Sequence, residues 1–274
     1  MTLNEIFIVL VLYKKNLNNS ETISCLVEIK EFNFQILIYD NSPDSQYTNE
    51  YFAYYNLNVH YVSNTDNPGL STAYNYALKQ ANLENKKWLL LLDQDTRLTA
   101  EYFNEFSKLI LSNNSIVSII PRVNNFYNDK PISPSKMFFG MFCRPLNIES
   151  GIISKNITAI NSGTFLNINF LNEINGFNNL FKLDYLDHWY FREIHKRNYS
   201  VYLMNTFILQ ELSVGSNYSN RISIERYISL IYSQLRYVSL QGKFNLFIFK
   251  ILLFFKIIIL DKRLSIREAI GIIF

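Results

Sequence analysis

Trp88-Leu89-Leu90-Leu91-Leu92-Asp93-Gln94-Asp95-Thr96 is an apolar run that stops abruptly at two carboxylates. A run this short fits a strand buried on both faces. An Asp-Gln-Asp at its carboxyl end stands where open α/β sheets keep their ligand crevice. Two hard oxygen ligands one residue apart can share a divalent cation with the ribose or phosphate oxygens of a nucleotide, as Mg²⁺ and Mn²⁺ sites do. For an isolated Asp-x-Asp the plainer reading is a solvated strand exit; what surrounds this one argues for a site.

Outward from that strand, the first half of the chain alternates apolar and helical patterns. Ile6 to Tyr13, Gln35 to Tyr39, Val59 to Val62 and Trp88 to Leu92 read as strands, and Asn19 to Glu31, Leu70 to Leu83 and Ala100 to Leu111 as helices. Alternation of this kind predicts right-handed βαβ units and a mainly parallel sheet with flanking helices. Asn41-Ser42-Pro43-Asp44 and Asn67-Pro68-Gly69 break the chain just after strands, where such folds place functional loops. From Asn124 to Lys155, Pro131, Pro134, Gly140 and Pro145 among aromatics predict a loop-rich flap over the site.

The 274 residues suffice for one α/β domain with a helical tail, read as residues 1–220 and 221–274. Cys25 and Cys143 lack CxxC or zinc-like spacing, which argues against a disulfide scaffold or a metal knuckle. Ile6 to Leu12 is too short for a signal segment or a spanning helix, so an intracellular, cytoplasmic protein is expected. A net charge of +3 is too slight for a nucleic-acid partner. The charge is uneven, however: from Lys243 onward six bases (Lys243, Lys250, Lys256, Lys262, Arg263, Arg267) face two acids (Asp261, Glu268). Within that tail Phe244 to Leu260 is apolar apart from Lys250 and Lys256, a poor spanning helix but a good interfacial one at the inner face of the cell membrane. A buried or homodimer-forming helix is the alternative.

Four fragments occur in order: Ile36-Leu-Ile-Tyr-Asp-Asn-Ser42, Asn67-Pro-Gly-Leu-Ser-Thr-Ala-Tyr-Asn75, Leu92-Asp-Gln-Asp-Thr96 and Leu183-Asp-Tyr-Leu-Asp-His-Trp-Tyr-Phe-Arg192. Over about residues 6 to 215 this set resembles the family 2 inverting glycosyltransferases of the GT-A fold, and Asp-Gln-Asp-Thr looks most like their bacterial rhamnosyltransferase branch. The resemblance implies a nucleoside diphosphate sugar donor, dTDP- or UDP-linked and dTDP-rhamnose in that branch. It also implies a glycan acceptor, lipid-linked or part of a surface polysaccharide, and Mg²⁺ or Mn²⁺ as cofactor.

Residue by residue, the resemblance puts Leu12, Asp40, Asn67, Gly69 and Asp93 on the donor. Asp40 would accept from the N3–H of a pyrimidine, since an ionised carboxylate only accepts. Gly69 would let backbone approach the donor, with Ser71 capping the helix that carries Asn75. Asp95 would bind the metal, with Asp93 and Glu211 as further candidates; Gln210 is another, because no histidine stands near Gln210-Glu211-Leu212-Ser213-Val214-Gly215 where relatives have one. Asp187 would be the base that takes the acceptor proton, with Asp184 the alternate. The chain has Asp187-His188-Trp189 where many relatives have acid-x-acid-Trp, which leaves the register open. Ser162, Gly163, Trp189 and Arg192 would meet the acceptor, Trp189 as an apolar platform and Arg192 in a pair with the acidic segment. Two rivals remain: a catalytically silent GT-A-like module binding a glycan or partner protein at the membrane, and a Rossmann dehydrogenase, disfavoured because no GxGxxG follows the first strand.

Overall fold

The computed structural model describes residues 1–29, 32–48, 51–52, 57–109, 115–154, 156–211 and 222–274. They group into two compact units, Met1–Lys136 with Pro145–Glu211, and Met137–Arg144 with Leu212–Phe274.

The first unit is built on one mixed sheet. Strands β1 (Ile6–Leu12), β2 (Gln35–Asp40), β3 (Asn58–Ser63) and β4 (Trp88–Asp93) form its parallel half in the order β4-β1-β2-β3. Burial on both faces explains the unbroken apolar run of β1, in which every residue is buried. The crossovers are α1 (Glu21–Glu28), capped by Ser20, and α2 (Leu70–Leu83). Beyond β4 the sense changes. After the two-residue β5 (Thr96–Arg97), α3 (Ala100–Lys108) and β6 (Ile116–Asn125), strand β11 (Thr164–Asn167) inserts antiparallel between β4 and β6, and β12 (Ser200–Gln210) runs parallel to β6. The sheet is therefore wholly parallel in the half where alternation of strand and helix is legible and mixed beyond it, where β6 and β12 are parallel to each other and β11 is antiparallel to both of its neighbours. Helices α4 (Ile168–Glu173) and α5 (Leu186–Lys196) join β11 to β12.

Between Asn124 and Lys155, expected to be a loop-rich flap, the chain instead forms short strands: β7 (Pro131–Ser133), β8 (Ser135–Phe138), β9 (Phe142–Pro145) and β10 (Gly151–Ile153). Prolines 131, 134 and 145 lack the N–H a ladder needs, which confines strands to three or four residues and hides them from a pattern search. β7 and β10 join the main sheet, while β8 and β9 pair with each other.

In the second unit, α6 (Ile224–Ser239) and α7 (Lys243–Phe255), the latter extended by a π-helical turn over Lys256–Asp261, are followed by α8 (Ile266–Ile273). Among the described residues no helix is long and apolar enough to cross a membrane.

Candidate active site at the carboxyl ends of the strands

Parallel register brings the strand ends together. Val11 of β1 lies beside Asp93 of β4, and Leu12 lies beside Asp40 of β2, so Leu12, Asp40 and Asp93 form one row at the carboxyl edge. The sharp turn after β4 is tied down from several sides. Thr22 on α1 donates to the Asp93 carbonyl and accepts from the Thr96 amide at 2.9 Å, and Ser162 Oγ accepts the Asp93 amide at 3.2 Å.

Gln94 adds a clamp that its sequence did not signal. Its Oε1 accepts from Tyr13 N at 2.9 Å and its Nε2 donates to Tyr13 O at 3.3 Å, which carries the β1–β4 pairing one residue beyond the strands. A side-chain amide, with a donor and an acceptor side by side, matches the N–H and C=O of one backbone residue. Asn75 does the same for Phe177, donating to its carbonyl at 2.8 Å and accepting from its amide at 2.7 Å.

Asp95 accepts from Gln210 Nε2, while Gln210 Oε1 accepts from Thr96 Oγ1 at 2.8 Å. Both ends of the Gln210 amide are hydrogen-bonded and only 3% of the residue is exposed, which lets it fix the orientation of Asp95. Glu211 lies beside the pair: its amide donates to the Asp95 carbonyl at 3.2 Å, and its carboxylate is engaged by the Tyr127 hydroxyl and, at 3.6 Å, by Lys15. Residues 212–215 lie outside the described segments.

The carboxylates repel one another. Burial, then the charges of Asp95 and Asp187, push the Asp93 pKa up to about 7. Burial also raises Asp95, against the pull of Lys15 and Gln210. Acids held above their usual range by burial suit a site that receives a cation, and the hard carboxylate oxygens of Asp93 and Asp95 fit Mg²⁺ or Mn²⁺ in their chemistry. No group of three or more metal-ligating side chains occurs among the described residues.

Asp187 lies in the first turn of α5, 18% exposed, and accepts from the His188 amide at 2.7 Å. Its field reaches Asp93 and the buried Tyr74 and Tyr190. Tyr74 is fully buried, and its hydroxyl has no hydrogen-bond partner among the described residues. His188 is satisfied by Thr158 at 2.6 Å.

Other expected site residues have structural tasks. Asp40 is fully buried, its two oxygens accepting from the Ser42 amide at 2.9 Å and the Tyr61 hydroxyl at 2.6 Å. Asn67 adopts φ 45° and Gly69 φ 97°; a Cβ on Gly69 would stand 2.4 Å from Lys182 O, so here backbone approaches the segment leading into α5. Ser71 is not the cap: Gly69 occupies the N-cap of α2, and the Ser71 hydroxyl is buried without a partner. Ser162 and Thr164 are fully buried, and Gly163, at φ 75°, donates to the Leu91 carbonyl at 2.9 Å, so this turn lies under the Asp-Gln-Asp loop. Trp189 is only 7% exposed, and Arg192 pairs with Glu193 at 2.8 Å.

Comparison with solved structures finds the same fold. S. aureus TarS 1–349 in complex with UDP superposes with a TM-score of 0.59 at 13% identity, covering 100% of this chain and 80% of that one. The mannosyltransferase PcManGT from Pyrobaculum calidifontis in complex with GDP-Man and Mn²⁺ gives 0.51 at 12% identity, covering 98% and 73%. The chain spans 42% of a longer S. aureus TarS crystal chain, at a TM-score of 0.56 and 14% identity. A comparison with curated protein sequences finds no match. The expected GT-A-like architecture is thus present, and residues 7–175 match the family described as Glycosyl transferase family 2. This chain belongs to glycosyl transferase family 2.

Proposed function

We propose that this protein transfers a sugar from a nucleoside diphosphate donor to a glycan acceptor with inversion, using Mg²⁺ or Mn²⁺. The observation that carries the reading is the strand-end carboxylate of Asp93, buried and within the fields of both Asp95 and Asp187. Asp93 and Asp95 would hold the metal. Bound there, it would neutralise charge developing on the departing diphosphate. Asp187 takes the acceptor hydroxyl proton, and Gln210 holds Asp95 in its orientation. Leu12, Asp40, Asn67 and Gly69 frame the donor side, with Asp40 setting the loop through Ser42 and Tyr61. Complexes of TarS with UDP and UDP-GlcNAc, and of PcManGT with GDP-Man and Mn²⁺, support a nucleotide sugar and a divalent metal.

For the donor we favour dTDP-rhamnose, on the Asp-Gln-Asp-Thr resemblance, with UDP-sugars second. For the acceptor we favour a lipid-linked or surface-polysaccharide glycan, met by a cytoplasmic enzyme held peripherally at the membrane by its C-terminal helices. Release of nucleoside diphosphate from a panel of dTDP-, UDP- and GDP-sugars, with Mn²⁺, Mg²⁺ or chelator, tests this. Metal-dependent turnover with one donor is expected. Donor binding without turnover on any glycan acceptor would instead point to a silent glycan- or partner-binding module.

A further inference from the structure

The second unit leaves an unusual amount of apolar surface in water. Helix α7 buries only a narrow stripe, Phe249 and Leu253, continued by Ile257, while Phe244, Phe247 and Phe255 are 75%, 59% and 53% exposed. The hairpin tip Met137–Arg144 belongs to the same unit and presents Phe138, Phe139 and Phe142 at 40%, 73% and 50% exposure. Its backbone is seated on the helices: a Cβ on Gly140 would stand 2.4 Å from Val238 Cγ2 and 3.4 Å from Phe249 Cε2. Beside it a cleft of about 330 Å³ is lined by Phe139, Ile248, Phe249 and Leu252. Exposed apolar patches on this scale mark a docking surface.

Charge selects the occupant. Residues 137–144 and 212–274 contain ten of the 26 bases and only three of the 23 acids. Two of those acids are engaged internally, Asp261 by Lys256 at 2.7 Å and by Tyr227, and Glu268 in the capping box with Ser265. A second copy would bring the same surplus of cations against this face, whereas an anionic bilayer accepts both the aromatics and the bases.

We propose that the hairpin tip and the exposed faces of α7 and α8 form one docking surface for an anionic lipid bilayer, with Phe138, Phe139 and Phe142 inserted into it. This rests on the membrane-surface reading above and adds the hairpin, which that reading did not contain.

The test uses the full chain and phosphatidylcholine vesicles with and without phosphatidylglycerol. Flotation should show binding to the anionic vesicles, and the combined Phe138→Ser, Phe139→Ser, Phe142→Ser variant should partition roughly tenfold less or weaker still, with an unchanged thermal transition. Both native tryptophans are buried, at 4% and 7% exposure, so Phe139→Trp adds an exposed reporter whose emission brominated lipid should quench. If the wild type ignores anionic vesicles, the membrane reading and this proposal fail together. If the wild type floats but the triple variant floats equally, or the reporter is not quenched, only the hairpin's role is overturned. A wild-type dimer that the triple variant converts to monomer, with no lipid binding, would assign the face to a protein contact and overturn the proposal.

Discussion

Gln94 stands between the two carboxylates proposed to hold the metal, yet its side chain is committed to the backbone of Tyr13. Two hydrogen bonds worth about 1 kcal/mol each, discounted for partial exposure, set the expected effect of Gln94→Leu at about a tenfold weaker donor affinity with the fold retained. Calorimetric titration with the cognate donor checks this, and an unchanged affinity would confine the clamp to a structural role. Asp95→Ala should abolish metal-dependent donor binding without lowering the unfolding midpoint, because the residue ends a turn and does not pack in the core. Asp187→Asn should retain donor affinity and lose transfer by about 10²–10⁴-fold, the usual worth of a general base. Should Asp184→Asn be the inactive variant instead, the base is Asp184.

Among the elements, α2 and α5 depend on backbone approaches that leave no room for substitution. Gly69→Ala would place a methyl group 2.4 Å from Lys182 O at φ 97°, and a cost of about 1–3 kcal/mol is expected in urea unfolding. Gly271→Ala, on a helix with nothing within 4 Å, should be neutral or slightly stabilising and serves as the control. Helix α5 also carries a pH dependence. His195 is held below its ordinary 6.5 by burial, with Nε2 bound to the Ile157 backbone and Nδ1 buried without a partner. Its folded pKa is depressed, so the unfolded chain binds the proton more tightly. The stability it contributes is present above about pH 6.5 and is lost as pH falls through the lower folded value. Thermal midpoints of His195→Gln should therefore fall less than those of the wild type between pH 7 and 5.

Across the whole molecule, the basic surplus of the second unit should make the proposed membrane binding sensitive to salt. Screening lengths shrink from about 10 Å at 0.1 M to about 3 Å at 1 M, so binding of the full chain to phosphatidylglycerol vesicles should weaken steeply over that range while the apolar contribution persists. Salt-independent flotation would show that the cations contribute nothing to docking.

What the sequence determined by itself was the parallel half of the sheet and the strand-end acids. Unbroken apolar runs and helical periodicity are local properties of the chain, as Trp88–Asp93 and Leu70–Leu83 show, and for Leu70–Leu83 the bounds read from the pattern are those observed. Tertiary structure alone decided the rest. The antiparallel insertion of β11 between β4 and β6 depends on pairings such as Phe165 with Ile119 and Asn167 with Trp88, far apart in the chain, which no periodicity records. The clamp roles of Gln94 and Asn75, and the coupling of Gln210 to Asp95 across 115 positions, are hydrogen bonds between residues whose neighbours in sequence say nothing of their partners. Likewise the aromatic hairpin between β8 and β9 reads as an irregular stretch until the fold gathers Met137–Arg144 into the unit of the C-terminal helices. A residue's type sets which bonds it can make; the fold decides which groups come within reach of it.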